Sequence, residues 1–248
     1  MDWGIIAFID ALGFKGIWKT HEPNDVLASI EAVSSLATDL KAKINKAHGG
    51  DLWDTVTIQV HMFSDTVGIA VRLPPPKIES TDPEFYEGTR KYMLLRHVVM
   101  MLSEVTGRAA IASVPLLYRG CISAGEFLCN ETSFIGPAVD EAGKYFEACD
   151  GAFVFFSPSA EDVFTNRPWQ LKIGHPAYFV PYLVPMKKGE PLKTLTVNPL
   201  LFLEQEEKKT ATERIIRCFG NPDEQVDDVK TKASNTKEYL EYLGDWQW

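Results

Sequence analysis

The order in which hydrophobic periodicity changes along this chain leaves few folds open. Ile5, Ile6, Ala7, Phe8 and Ile9 form a near-continuous apolar run, the pattern of a strand covered on both faces. From Val26 the apolar residues Leu27, Ile30, Val33, Leu36, Ala37, Leu40 and Ile44 recur at helical spacing, and Gly49-Gly50 is expected to stop that helix. Val56, Ile58, Val60 and Met62 then alternate with polar residues. Val67, Ile69 and Val71 answer them across Phe63-Ser64-Asp65-Thr66, which predicts a hairpin.

A proline-rich loop from Leu73 to Pro83 leads into a second amphipathic helix carrying Met93, Leu94, Val98, Met101, Leu102 and Val105, with Gly107 as its expected C′ residue. A strand over Leu116 to Ala124 follows, then a helix entered through Gly136 and a buried strand at Phe153 to Phe156. Ser157-Pro158 has the form of an N-cap with proline in the first helical position. Tyr178 to Val184 and Leu192 to Val197 predict a late hairpin, and from Glu204 the chain reads as charged helix. The expected fold class is α+β, a ferredoxin-like βαββαβ core with helices on one face of a mainly antiparallel sheet. Residues 1–200 are expected to form the main domain and 201–248 a helical extension.

Composition narrows the partners. With 34 acidic against 25 basic residues the formal charge is −9, which argues against a broad cationic surface for nucleic-acid polymers. A local cationic pocket for a phosphorylated small molecule stays open, because net charge averages over the whole surface. Cysteines 121, 129, 149 and 218 form no C-x-x-C pair and read as reduced, mostly buried thiols. Met1-Asp2-Trp3-Gly4 has no basic leader, and the uncharged stretch 173–186 is broken by Pro176, Pro181 and Pro185. A cytoplasmic protein with no membrane partner is the expectation.

Two carboxylates stand out against this apolar background. Asp10 ends the first strand, and Asp65 sits at the tip of the hairpin expected beside it. Singly, each also suits ordinary turn chemistry. Brought together, they repel unless a cation lies between them, and oxygen donors of this kind favour Mg²⁺ or Mn²⁺. Leu12-Gly13-Phe14-Lys15 follows Asp10 directly. Glycine there lets backbone N–H groups approach a triphosphate, and the lysine adds positive potential. Phe8 and Phe14 read first as core aromatics, His97 as a satisfied packing residue, and His21, His48 and His175 as scattered, with no His-Cys metal spacing.

In order along the chain, four segments resemble the motifs of class III nucleotide cyclases. Phe8-Ile9-Asp10-Ala11-Leu12-Gly13-Phe14 resembles their first metal-binding motif, and Phe63-Ser64-Asp65-Thr66-Val67-Gly68 the hairpin with the second metal aspartate. Tyr118 to Glu126 resembles their R-x-G-I-x-x-G strand, and Gly136 to Ala142 with Glu147 the start of their G-x-x-V-N-x-A-x-R-x-E helix. The resemblance implies two divalent cations, Mn²⁺ or Mg²⁺, held by Asp10, Asp65 and the Ala11 carbonyl. It also implies a nucleoside triphosphate substrate contacted by Phe8, Gly13, Phe14 and Lys15, and a head-to-tail homodimer with composite sites.

The departures are specific. Asp140 and Lys144 occupy the places of the family's ribose-binding Asn and phosphate-binding Arg, and lysine lacks the bidentate fork. Arg119, Lys15 or the Lys187-Lys188 pair are the alternative sources of that charge. His61 takes the place where Lys reads adenine or Glu reads guanine, and Ser133 takes the other base-reading place. Purine readout is therefore unsupported. The Gly136-Pro137-Ala138 motif and helical tail are most similar to the pyrimidine cyclases of bacterial Pycsar antiphage defence. That likeness implies cyclisation of a pyrimidine nucleotide, UTP to cyclic UMP in preference to CTP to cyclic CMP, with a product that would activate a separate effector protein. Cytidylate cyclisation, purine cyclisation and a non-catalytic cyclase-like regulatory module are the alternatives.

Overall fold

The computed structural model describes residues 1–14, 16–47, 56–73, 82–167, 178–220 and 226–245. Strand β1 (Asp2–Leu12) is followed by helix α1 (Pro23–Ala47), the hairpin β2 (Thr57–Phe63) and β3 (Thr66–Arg72), and helix α2 (Pro83–Ala110). Then come β4 (Leu117–Cys129), the short β5 (Phe134–Ile135), α3 (Pro137–Tyr145), β6 (Val154–Phe156) and α4 (Pro158–Thr165). The hairpin β7 (Phe179–Val184) and β8 (Leu192–Val197) precedes α5 (Gln205–Cys218) and α6 (Asp227–Asp245). Lys15 and Gly49-Gly50 lie outside the described residues.

The strand order is β2-β3-β1-β4-β6-β8-β7, with β5 paired to β4. Its first four members are the ferredoxin-like βαββαβ core: β1 lies between β3 and β4, antiparallel to both. The β4–β6 pair is parallel, and α3 lies between those strands in sequence, as a crossover of this kind requires. The fold is therefore the expected α+β class with a mainly antiparallel sheet.

The strands sort their side chains by pleat. Ile5, Ala7, Ile9 and Ala11 of β1 join Val67, Ile69 and Val71 of β3 in the core against α2, where Leu94, Leu95, Val98 and Leu102 are buried. Ala160 of α4 belongs to the same layer. The opposite face is covered as well, contrary to the one-sided arrangement expected from sequence. Ala138 and Ala142 of α3 pack on Ile6, Ala70 and Phe127. Further along, Tyr239, Leu240 and Leu243 of α6 pack with Phe153, Phe155 and Val180. The reason is the apolar run in β1, which leaves Ile6 needing cover on its own side.

Gly107 is a second correction. It lies inside α2, which continues to Ala110, and a Cβ there would stand 2.2 Å from the Pro199 carbonyl oxygen. Glycine is used for close approach of helix to backbone and not as a stop signal. His97 is buried, with Nδ1 2.6 Å from the Met93 carbonyl, as a packing histidine should be. All four cysteines are free. Cys121 and Cys149 are buried, whereas Cys129 is half-buried and Cys218 exposed. Burial pushes the Cys149 thiol up to about 11. Among the described residues no helix is long and apolar enough to cross a membrane.

Candidate active site

Register brings the backbone of Asp65 beside the end of β1 that carries Asp10. Asp10 stands opposite Thr66 on β3 and Arg119 on β4. The two-residue turn Ser64-Asp65 closes the hairpin, with Ser64 at φ 59. A positive φ at the first central residue suits the right-handed strand twist of a tight hairpin. The backbone N–H of Ala11 donates to the Asp65 carbonyl at 3.1 Å, which ties the end of β1 to the turn.

The Asp10 side chain is 13% exposed and held from both sides. Thr66 Oγ1 donates to one carboxylate oxygen at 3.0 Å, and Arg119 Nη2 to the other at 3.2 Å. Arg119 also reaches Glu147, just past α3, at 3.7 Å. Tyr118, the neighbour of Arg119, has its phenol pushed well up, first by burial and then by the charges of Asp65 and Asp10. The candidate donors expected here, the Asp10 and Asp65 carboxylates and the Ala11 carbonyl, are all oxygens. Such a set suits a hard divalent cation whose remaining ligands come from water and phosphate. Arg119 must then share or release Asp10.

Gly13 follows at the rim, exposed and with φ 74. Phe14 is half-buried against the main core. Beside the carboxylates, on the same face of the sheet, lies an aromatic group. The Phe8 ring is 6.3 Å from Phe134 and 6.1 Å from Phe146, and His61 stacks on Phe134 at 4.3 Å. Gly68, between His61 and Phe8 in the register, makes this possible, since a Cβ there would meet Phe134 at 2.8 Å and Phe8 at 3.1 Å.

Other expected site residues stand apart. Ser133, Asp140 and Lys144 are exposed, and among the described residues none bonds to the Asp10 cluster. Ser133 N–H donates to Asn130 Oδ1, and the Lys144 ammonium lies 5.1 Å from the centre of the Tyr145 ring. Sequence reading missed Thr66 as the anchor of Asp10 and Phe134 as the partner of His61. The only signals for them were their positions next to Asp65 and Ser133.

No family model matches the chain, and no curated protein does. Solved structures align over most of it at low identity. The guanylate cyclase domain of RhGC from Catenaria anguillulae in complex with GTP is 11% identical, with a TM-score of 0.48, over 79% of this chain and 96% of that one. The catalytic core of a rhodopsin-guanylyl cyclase with converted specificity, in complex with ATPalphaS, is 13% identical at 0.49, over 79% and 94%. The adenylyl cyclase CyaB from P. aeruginosa is 13% identical at 0.42, over 79% and 93%. None of these three reaches a TM-score of one half, and the fold rests on the strand order and connections described above.

Proposed function

We propose that the chain is a nucleotide cyclase, converting a nucleoside triphosphate to its 3′,5′-cyclic monophosphate and pyrophosphate, with UTP as substrate. One observation carries the reading: Asp10 and Asp65 are joined at the ends of central strands through the Ala11–Asp65 hydrogen bond, beside the Gly13 turn. In the reaction the ribose 3′-oxygen bonds to the α-phosphorus as the bond to the β-phosphate oxygen breaks. The hydroxyl proton passes to solvent and pyrophosphate leaves.

Asp10, Asp65 and the Ala11 carbonyl would hold two divalent cations, Mg²⁺ or Mn²⁺. When bound, such ions lower the pKa of the attacking hydroxyl and neutralise the leaving pyrophosphate. Thr66 fixes the Asp10 carboxylate, and the backbone at Gly13 with Lys15 receives the outer phosphates. Holding the reacting groups in place supplies much of the acceleration.

The reading includes a head-to-tail homodimer. Asp140 and Lys144 are exposed on α3 and, among the described residues, form no bond to the Asp10 cluster, so a second copy is the natural source of their contacts. Exposed apolar side chains on the hairpin tip and on β4–β5 support this: Phe63 is 85% exposed, Ile135 62% and Leu128 46%. His61 bears on purine against pyrimidine only: by the resemblance its imidazole, stacked on Phe134, takes the place where purine cyclases carry an ammonium or carboxylate, and the choice of UTP rests on the likeness to the Pycsar cyclases. Resemblance to the Pycsar cyclases adds a role in antiphage defence and a separate effector that responds to the product.

The test is incubation with each of the four ribonucleoside triphosphates and Mn²⁺, with products identified by mass. Cyclic UMP is expected. Cyclic CMP moves the substrate to CTP, a cyclic purine nucleotide overturns the base assignment, and no pyrophosphate from any of the four overturns the cyclase reading.

A further inference from the structure

Next to Arg119, on the same face of the sheet as Asp10, is a pocket of about 340 Å³ whose floor is the end of β1 and the start of β4 and whose wall is the C-terminal extension. Gly13 and Arg119 line it from the core. Phe219, Val229 and Lys232 line it from the extension, and Lys187 from the loop after β7. In a chain of net charge −9, every charged residue lining this pocket is a cation. Arg119 is only 12% exposed, and its buried Nε finds no acceptor among the described residues. Lys232 is 15% exposed and paired to Asp228, while Lys187 forms no ion pair among the described residues.

The position of α6 is set by the core. Tyr239 Oη donates to the Val197 carbonyl at 2.7 Å and lies 3.0 Å from Thr196 Oγ1, and Asn235 Nδ2 donates to the Asp150 carbonyl at 2.7 Å. Lys232, one turn earlier, is thereby brought in on the side of Arg119. The three cations sense one another: the Lys187 ammonium is held below its usual range by partial burial, then by Arg119, with Lys232 adding to this and Glu147 opposing it.

We propose that the C-terminal helices complete a polyphosphate site, in which Lys187 and Lys232 with Arg119 bind a di- or triphosphate group. Three converging cations match an anion of several charges. Arg119 is shared with Asp10 and Glu147 and Lys232 with Asp228, which leaves Lys187 as the cation without an ion pair among the described residues, and the Arg119 fork suits phosphate oxygens. Assigning the anion to the substrate's own phosphate tail rests on the cyclase reading; the pocket's chemistry does not.

The experiment titrates inorganic tripolyphosphate into the full chain by calorimetry, without nucleotide or metal. Loss of a charge-assisted contact predicts about tenfold weaker binding for Lys187→Ala or Lys232→Ala. Lys232→Arg should retain binding, and Asp228→Asn should tighten it by releasing Lys232. Lys237→Ala, exposed on the outer side of α6, should change nothing. Circular dichroism melts identify any variant that fails to fold, and the Arg and Asn variants then decide. Unchanged affinity in both Ala variants, or no binding at millimolar tripolyphosphate, overturns the site. Displacement of tripolyphosphate by UTP assigns the substrate tail as occupant, and simultaneous binding assigns a separate polyphosphate. Retained tripolyphosphate binding with no cyclisation of any nucleotide refutes the cyclase reading and leaves the site standing.

Discussion

The two faces of the central sheet are built from the same strands and differ in almost every physical property. Under α1, α2 and α4 the side chains of Ile5, Ile9, Ile69, Leu94 and Leu95 are at most 1% exposed. On the other face α3 and α6 cover separate stretches. In the interval around Asp10 and Arg119 lie half-buried polar and aromatic groups, bounded by exposed Phe63 at the hairpin tip. One face holds the fold together, and the other is left open enough to bind a charged ligand. Substitutions on the two faces should therefore separate stability from activity.

The largest separation is expected at Asp65. Asp65→Asn should lower turnover about 10³-fold, by removing one of two charges that position the cations. Its melting temperature should stay within a few degrees, because the Ala11 hydrogen bond uses the Asp65 backbone and survives. Steady-state kinetics with a thermal melt checks both halves, and a fully active variant sinks the mechanism. Asp10 is a less clean probe, since its loss leaves Arg119 without its closer partner in a partly buried place.

On the sealed face the signs reverse. Ile69→Ala should cost about 3–4 kcal/mol by cavity formation, read by urea denaturation, with the activity of the remaining folded protein unchanged. Gly107→Ala should cost about 1–3 kcal/mol, since the methyl group overlaps the Pro199 backbone and helix or loop must shift. Were Gly107 a helix stop, alanine would be nearly neutral there. On the opposite face, where α6 docks, Tyr239→Phe should cost about 1–2 kcal/mol through loss of the hydroxyl that bonds at Val197 and Thr196. Under the polyphosphate proposal it should also weaken tripolyphosphate binding, because α6 loses an anchor near Lys232.

How much of this was legible follows the same division. Strand and helix order could be read because a buried layer imposes its period on the sequence, and the adjacency of β1 to the β2–β3 hairpin, which sets the Asp65 turn beside the end of β1, followed from that order. Arg119 against Asp10 depends on register between strands far apart in sequence, which periodicity does not encode. The second layer of helices was hidden for two reasons. α3 buries only Ala138 and Ala142, too few for a clear stripe, and α6 is charged enough to read as a solvated helix although Tyr239 is 1% exposed. Gly107 misled because a glycine after an apolar stripe looks the same whether it stops a helix or admits a neighbour.

The smallest effect on stability, and a sharp test of the open face, is expected at Phe63. A phenyl ring 85% exposed gains little from folding of the single chain, so Phe63→Ser should change stability by under about 0.5 kcal/mol. The tip still belongs to the turn that carries Asp65, and large exposed aromatics beside polar groups are characteristic of surfaces that bind other proteins. If a second copy packs there, Phe63→Ser should shift the monomer–dimer equilibrium toward monomer in analytical ultracentrifugation. Activity should then fall at low protein concentration and recover as concentration rises. A variant that stays dimeric with unchanged specific activity at every concentration removes Phe63 from the interface, and the composite site would then have to be assembled through β4–β5 and α3.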